Sequence, residues 1–462
     1  MESSALQRAW WCDSARIDPT VIGVDEALER ILGYVDVLPS ERKPLIEALG
    51  QVLAEDITSD FDIPPLDNTA MDGYAVRTKD TTGADADSPI ELDVIGEVAA
   101  GYEFDGEVRA GTAVRIMTGA PVPSGADAIV PFEETDEPFE KAPSGTRSLA
   151  ASVRVFKEAS AGANIRRAGE DVLAGQVLVS RGTVLRPSEI GVIASVGRAM
   201  VTVIRRPIVA VLSTGDELLE PGQSRTGGRI YDSNAHSIGA LVRRYGGIPR
   251  LLGIAKDTVE ALTAKIHEGL AADLLITSAG VSRGDYDVVK DVLMREGEID
   301  FWTVAMKPGK PLAFGSFQAN DRRVPHIGLP GNPVSSMVAF DLFGRPAMMK
   351  MMGKHDWRRP VVRAIAEERI MNRNDPRLFL ARCIVTERDG RYYASLTGAQ
   401  GSGILTSMVH ANALTLIPAD IEVVEPGEEI DALMLDWSRG EEWGSYLTGE
   451  AGVGETAPRL TH

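Results

Sequence analysis

DLLITSAGVSRGDYD, residues 273–287, runs from a short apolar segment into a serine- and glycine-rich loop and ends on two aspartates at the start of a helical pattern. The apolar segment is near-continuous rather than alternating, which reads as a strand covered on both faces. The same order recurs around it. PIVAVLS, from 207, precedes a loop and a helix with Ile238, Leu241, Val242 and Tyr245 at i, i+3, i+4 and i+7, closed by Gly246-Gly247. IPRLLGIA, a helix from about 258 to 268, the quoted strand and the helix YDVVKDVLMREG follow. Strand and helix in alternation predict a parallel, doubly wound sheet. After FWTVAM and PLAFGSF, PHIGLPG leads into a helix with Asn332 as N-cap and Pro333 at its first position.

Elsewhere the periodicity differs. Residues 24–35 place Val24, Leu28, Ile31 and Leu32 on one face of a short amphipathic helix. From about 45 to 203, short runs such as ELDVIGEV, AVRIMTG and DAIVPF alternate with Gly, Pro and Asp, the pattern of β modules. Residues 136–152 are polar and turn-rich, a surface loop. From about 355 the chain returns to β character, which predicts a small barrel, and the acidic, glycine-rich residues beyond 440 are expected to be frayed.

At 462 residues the chain is too long for one ordinary core. A net charge of -19 argues against nucleic-acid binding, and it obliges any anionic substrate to be drawn in by local positive groups. Cys12 and Cys383 lie far apart and form no metal-spacing motif, so a structural zinc or a disulfide framework is not expected. The N-terminal segment lacks a signal-peptide pattern, and no apolar run approaches the ~20 residues a membrane helix requires. A cytoplasmic protein without membrane contact is the expectation.

Three strand ends carry similar chemistry: Ser213-Thr214-Gly215, the loop with Ser278, Gly280 and Ser282, and Pro330-Gly331-Asn332 running on to Ser335. In open α/β sheets, ligands bind where strands end and helices begin, because backbone N–H groups converge there. One such loop means little, since tight turns need glycine anyway; three in one domain point to an anion. Asp216, Glu217, Asp285 and Asp287 sit just past these loops. They read either as charges at helix starts or as oxygen ligands for Mg²⁺, which is typically bound by one or two carboxylates together with substrate phosphates. Asp257 with Glu260 also spells a capping box. Lys307 and Lys310, fixed between prolines in KPGKP, are candidate oxyanion clamps. Arg382 reads equally well as an edge-strand arginine.

PPLDNTAMDGYAV (64–76), RIMTGAPVPSGADAIVPFE (115–133), RRAGEDV (166–172), LSTGDEL (212–218), TSAGVSRGDYD, MKPGKP (306–311) and GLPGNPVSSMVAF (328–340) together resemble the molybdopterin molybdenumtransferases. These are the bacterial MoeA proteins, the E domain of their plant counterpart and the E domain of gephyrin. The resemblance, from about 20 to 435, implies a multidomain α/β plus β chain with a doubly wound molybdopterin-binding α/β domain. The parts are an elongated N-terminal domain over 20–60 and 165–204, a β-rich insertion over 61–164, the α/β domain over 205–354 and a C-terminal barrel over 355–440.

The resemblance further implies a homodimer with its active site between subunits. It implies the last step of molybdenum cofactor synthesis, in which adenylyl-molybdopterin is hydrolysed with Mg²⁺ and molybdate to release AMP while molybdenum joins the dithiolene. Transient contacts with molybdopterin adenylyltransferase and with molybdoenzymes follow from that place. Carried over residue by residue, Asp72, Thr118, Asp171, Glu217, Asp257 and Asp287 are the catalytic group, with Glu217, Asp257 and Asp287 as metal ligands. Lys307, Pro308, Ser335, Arg382 and Ser402 resemble the molybdate-holding group. Some relatives carry a lysine where this chain has Thr303. Tungstate in place of molybdate, an adenylyltransferase activity and a gephyrin-like scaffold are the alternatives; Asp72 and Thr118 in a turn-forming stretch also fit a purely structural role.

Overall fold

The computed structural model describes residues 21–137, 150–280, 288–372 and 375–436, which fall into two compact units. The larger contains residues 21–41, 50–52 and 204–436 and is built on a seven-stranded sheet. Its strands are β1 (Val21–Ile22), β2 (Ile208–Thr214), β3 (Ile248–Ala255), β4 (Leu274–Ser278), β5 (Gly297–Val304), β6 (Pro311–Ala319) and β7 (Arg322–Leu329), in the order β1-β5-β6-β7-β4-β2-β3. The connecting helices are α1 (Val24–Gly33), α2 (Ser233–Arg244), α3 (Val259–Gly269), α4 (Val288–Glu296) and α5 (Pro333–Ala339).

Alternate residues of one strand feed opposite cores. Val209 and Val211 pack with α1, α2 and α5, whereas Ala210 and Leu212 pack with α3 and α4. Burial on both faces is what the unbroken apolar run required. The parallel expectation holds for β3, β2, β4 and β7 but fails at β6, which is antiparallel to both β5 and β7. The connections explain this. A parallel return needs a crossover of a dozen or more residues; only 305–310 separate β5 from β6. Asn320-Asp321 then joins β6 to β7, with Asn320 in the left-handed region at φ 53°.

β1 pairs with β5 through Val21 and Thr303, and α1 buries Val24, Ala27 and Ile31 in the same core. Residues 21–41 therefore cluster with the α/β sheet, where the sequence reading had grouped 20–60 with the N-terminal domain. A closed barrel of Val361–Ala366, Arg391–Leu396, Arg382–Arg388, Ala413–Leu416 and Glu429–Met434 completes this unit, as expected for the tail. Its Leu380, Leu414 and Leu433 join the core of the sheet.

The second unit covers residues 42–49 and 53–203. A five-stranded sheet (Ala128–Pro131, Gly73–Val76, Thr112–Ile116, Ile90–Val98, Ser152–Val155) forms its β-rich part. A separate small core gathers Leu45, Leu53, Ile57, Leu185, Ile193 and Val203.

Candidate active site

The direction of winding reverses between β2 and β4, whose following helices α2 and α4 pack into opposite cores of the sheet, and open α/β sheets bind ligands in the crevice at such a switch point. Register puts the serines at its mouth: Ser213 lies opposite Ser278, and Ser278 opposite Leu329 just before Pro330. The loops touch, since a β-carbon added to Gly331 would sit 3.4 Å from that of Ala279. Ala279 itself holds φ 81°, a strained conformation for alanine that recurs at ligand sites.

Asn234, which the sequence reading missed, ties the loops together. Its side-chain amide nitrogen donates to Ser278 Oγ at 2.7 Å and to the Gly331 carbonyl at 2.8 Å. A carbonyl only accepts, so the nitrogen must face it. Ser278 therefore accepts from Asn234 and keeps its own hydroxyl proton to donate. Ser213 Oγ and Asn234 Oδ1 are buried with no hydrogen-bond partner among the described residues, polar atoms of the sort a ligand satisfies. The signal for Asn234 was its place in YDSN, two residues after Asp232, which caps α2 by accepting from the Ala235 N–H at 3.0 Å.

On the other side of β2, the Gly215 N–H donates to the Ala255 carbonyl at 3.4 Å, joining the β2 and β3 loops that carry Glu217 and Asp257. Thr214 is buried, and Gly215 sits at φ 139° with the Glu217 carboxylate folded over it. Asp257 is not the helix cap: Thr258 caps α3, accepting from the Ala261 N–H. Asp287 and Ser282 lie outside the described residues. Among those described, no three potential metal-ligating side chains converge.

A second cluster closes on itself by a chain of contacts. The Lys307 carbonyl accepts from the Leu380 N–H at 2.8 Å, and a β-carbon added to Gly309 would lie 3.6 Å from the Ser335 carbonyl oxygen. The Val334 N–H donates to the Ser402 carbonyl at 3.2 Å, and Arg382 Nη2 donates to the Gly401 carbonyl at 3.0 Å. Pro308 and Ser335 are buried, Lys310 is exposed, and Asn332 takes the N-cap position of α5 without a side-chain bond. Arg382, read as a possible edge-strand arginine, opens a barrel strand yet is wholly buried, its Nε donating to Ser407 Oγ at 3.1 Å. Its Nη1 has no partner, and no carboxylate pairs with it among the described residues. Burial pushes this guanidinium down to about 10. Lys307 is paired with Asp375 at 3.2 Å, and Thr303 is buried in β5.

In the β-rich unit, Asp72 Oδ1 accepts from both the N–H and the hydroxyl of Thr118, each at 2.7 Å. Those two donors, the backbone one first, hold the Asp72 carboxyl below the usual carboxylate range. Asp171 is exposed, and its N–H donates to the Ile63 carbonyl.

Residues 22–197 match the MoeA N-terminal region (domain I and II), 210–350 the probable molybdopterin binding domain, and 363–435 the MoeA C-terminal region (domain IV). The chain belongs to the MoeA family of molybdopterin molybdenumtransferases. It is 38% identical over 394 residues to molybdopterin molybdenumtransferase 2 of Mycobacterium tuberculosis, covering 84% of this chain and 93% of that one. With molybdopterin molybdenumtransferase of Bacillus subtilis the identity is 33% over 430 residues, 92% and 96% of the two chains. The crystal structure of the molybdopterin biosynthesis MoeA protein from Pyrococcus horikoshii superposes with a TM-score of 0.73 at 30% identity, covering 90% of this chain and all of that one. Both clusters of the MoeA α/β–barrel unit fall on elements that these matches span.

Proposed function

We propose that this transferase inserts molybdenum into molybdopterin by hydrolysing adenylyl-molybdopterin, releasing AMP. The observation that carries the reading is Arg382, a buried guanidinium with an unused donor and, among the described residues, no carboxylate paired to it, in one contact ring with Lys307, Pro308, Ser335 and Ser402. A buried cation without a counter-charge is costly, and a tetrahedral oxyanion such as molybdate relieves that cost. The hydroxyls and backbone donors of Ser213, Thr214, Ser278, Gly280, Gly331 and Asn332 suit the pyrophosphate, with Gly215 letting the loop approach it closely.

Hydrolysis forms a bond from a water oxygen to phosphorus and breaks the bridging P–O bond. As molybdenum takes the two dithiolene sulfurs, the two thiol protons leave with one molybdate oxygen as water. Glu217 and Asp257 are exposed carboxylates on adjoining strand ends, an all-oxygen donor set that fits Mg²⁺. They would hold it with Asp287, and the ion when bound would neutralise developing phosphate charge. Asp72, Thr118 and Asp171 belong to the same assignment. The reading carries with it a cytoplasmic homodimer with its active site between subunits, handing product to molybdoenzymes.

Incubation of purified protein with adenylyl-molybdopterin is expected to release AMP only when both Mg²⁺ and molybdate are added. The same assay with Glu217→Gln should lose AMP release with an unchanged circular-dichroism spectrum; full turnover by this variant would refute the metal assignment.

A further inference from the structure

We propose that Asp375 is the resident counter-ion of the oxyanion cluster, competing with the incoming anion for Lys307 and so setting how loosely that anion is held. The inference rests on the molybdate reading above and concerns residues to which that reading gives no role.

The pairing of Leu378–Phe379 with Met306–Lys307 creates the arrangement. It brings Asp375 Oδ2 to 3.2 Å from Lys307 Nζ and puts the Phe379 ring 5.0 Å from the same ammonium. Asp375 is not held by lysine alone. Arg377 grips it with two donors, Nε to Oδ1 at 2.6 Å and Nη2 to Oδ2 at 2.6 Å. Its side chain is only 14% exposed, so the interaction is screened less than at an open surface. Burial alone would raise the Asp375 carboxyl, but Arg377 and then Lys307 outweigh it and keep the group below the usual carboxylate range.

The charges do not cancel: among the described residues two cations, Lys307 and Arg377, face the one Asp375 carboxylate, which leaves a surplus of one positive charge next to Pro308. Asp375 Oδ2 is shared between Arg377 and Lys307, so a dianion reaching Lys307 must displace or share that contact. Arg377 sets the terms of the competition, because the more firmly it holds Asp375, the more of the Lys307 charge remains for the ligand. An anion that must be passed on to sulfur ligands is better held moderately than tightly, since ground-state binding alone does not speed a transfer.

The two partners should therefore act with opposite sign. Titration calorimetry of the full chain with molybdate, and with sulfate as a second tetrahedral dianion, is the test. Asp375→Asn keeps the shape and removes the charge; its Kd is expected to fall about tenfold, with a steeper dependence on salt. Arg377→Gln frees Asp375 for Lys307, and its Kd is expected to rise about tenfold. A carboxylate that merely braced the loop would weaken binding in both variants, and that result, or an unchanged Kd in Asp375→Asn, overturns the inference while leaving the molybdate reading intact. Wild-type protein that binds neither anion overturns both.

Discussion

At the scale of single residues, Gly215 and Arg382 are each positions where substitution should affect the site more than the fold. At φ 139°, Gly215 occupies backbone space that an alanine rarely adopts, and its added β-carbon would lie 2.5 to 2.8 Å from the Glu217 carboxylate. Gly215→Ala is expected to cost about 1–3 kcal/mol of stability through strain. AMP release should fall further than that loss explains, because Glu217 must move; denaturant titration beside the activity assay separates the two effects. Arg382→Lys keeps the charge but not the fork that spans Gly401 and Ser407. Molybdate-dependent turnover should drop by about tenfold to a hundredfold, since a charge-assisted bond is worth about 1.5–3 kcal/mol, while the circular-dichroism spectrum stays unchanged.

At the scale of elements, strand register does what no single residue could, setting Ser213, Ser278 and the Pro330 turn side by side. The same alignment buries His326 of β7 beneath that edge, with its Nε2 2.9 Å from Thr277 Oγ1 and its ring edge-on to Phe317. Burial holds the imidazole at about 3, against 6.5 for an exposed histidine. Below pH 6.5 the unfolded chain takes up a proton that the folded chain refuses until about pH 3, so this contribution to stability is present at neutral pH and lost as pH falls through that window. Replacing His326 with Gln should flatten the pH dependence of the urea midpoint between pH 7 and 5 relative to wild type by up to one proton's worth of slope. Parallel slopes would show that the histidine takes up its proton in the fold as it does in the unfolded chain.

At the scale of the whole molecule, the barrel is fastened to the α/β sheet by buried charge. Arg359 donates to Asp341 Oδ1 at 2.5 Å, to Tyr245 and to the Met434 and Leu435 carbonyls, while Arg345 lies 3.6 Å from the same carboxylate and donates to the Trp357 carbonyl. Removing the Asp341 carboxylate takes a shared buried partner from two guanidiniums, so Asp341→Asn is expected to cost about 3–5 kcal/mol. Its urea transition should broaden or split as the barrel detaches; a single sharp transition at the wild-type midpoint would contradict the fastening.

How much of this was legible beforehand depended on the range of the physics involved. Local patterns settle what is settled within a few residues: the doubly wound alternation, the tail barrel, the Asn332-Pro333 helix start and the Lys307 turn. The antiparallel β6 was in principle readable too, because six residues cannot carry a crossover. Asn234, Asp375 and the docking of β1 were not, since each acts through partners tens to hundreds of positions away: Gly331 for Asn234, Lys307 for Asp375, Thr303 for Val21. The sequence by itself determined which side chains carry charge, hydroxyls and flexible backbone, because those belong to residue type. Only the tertiary structure decided that Arg382 is buried with no carboxylate paired to it among the described residues while Lys307 has one, because burial and pairing depend on which surfaces meet once the chain has folded.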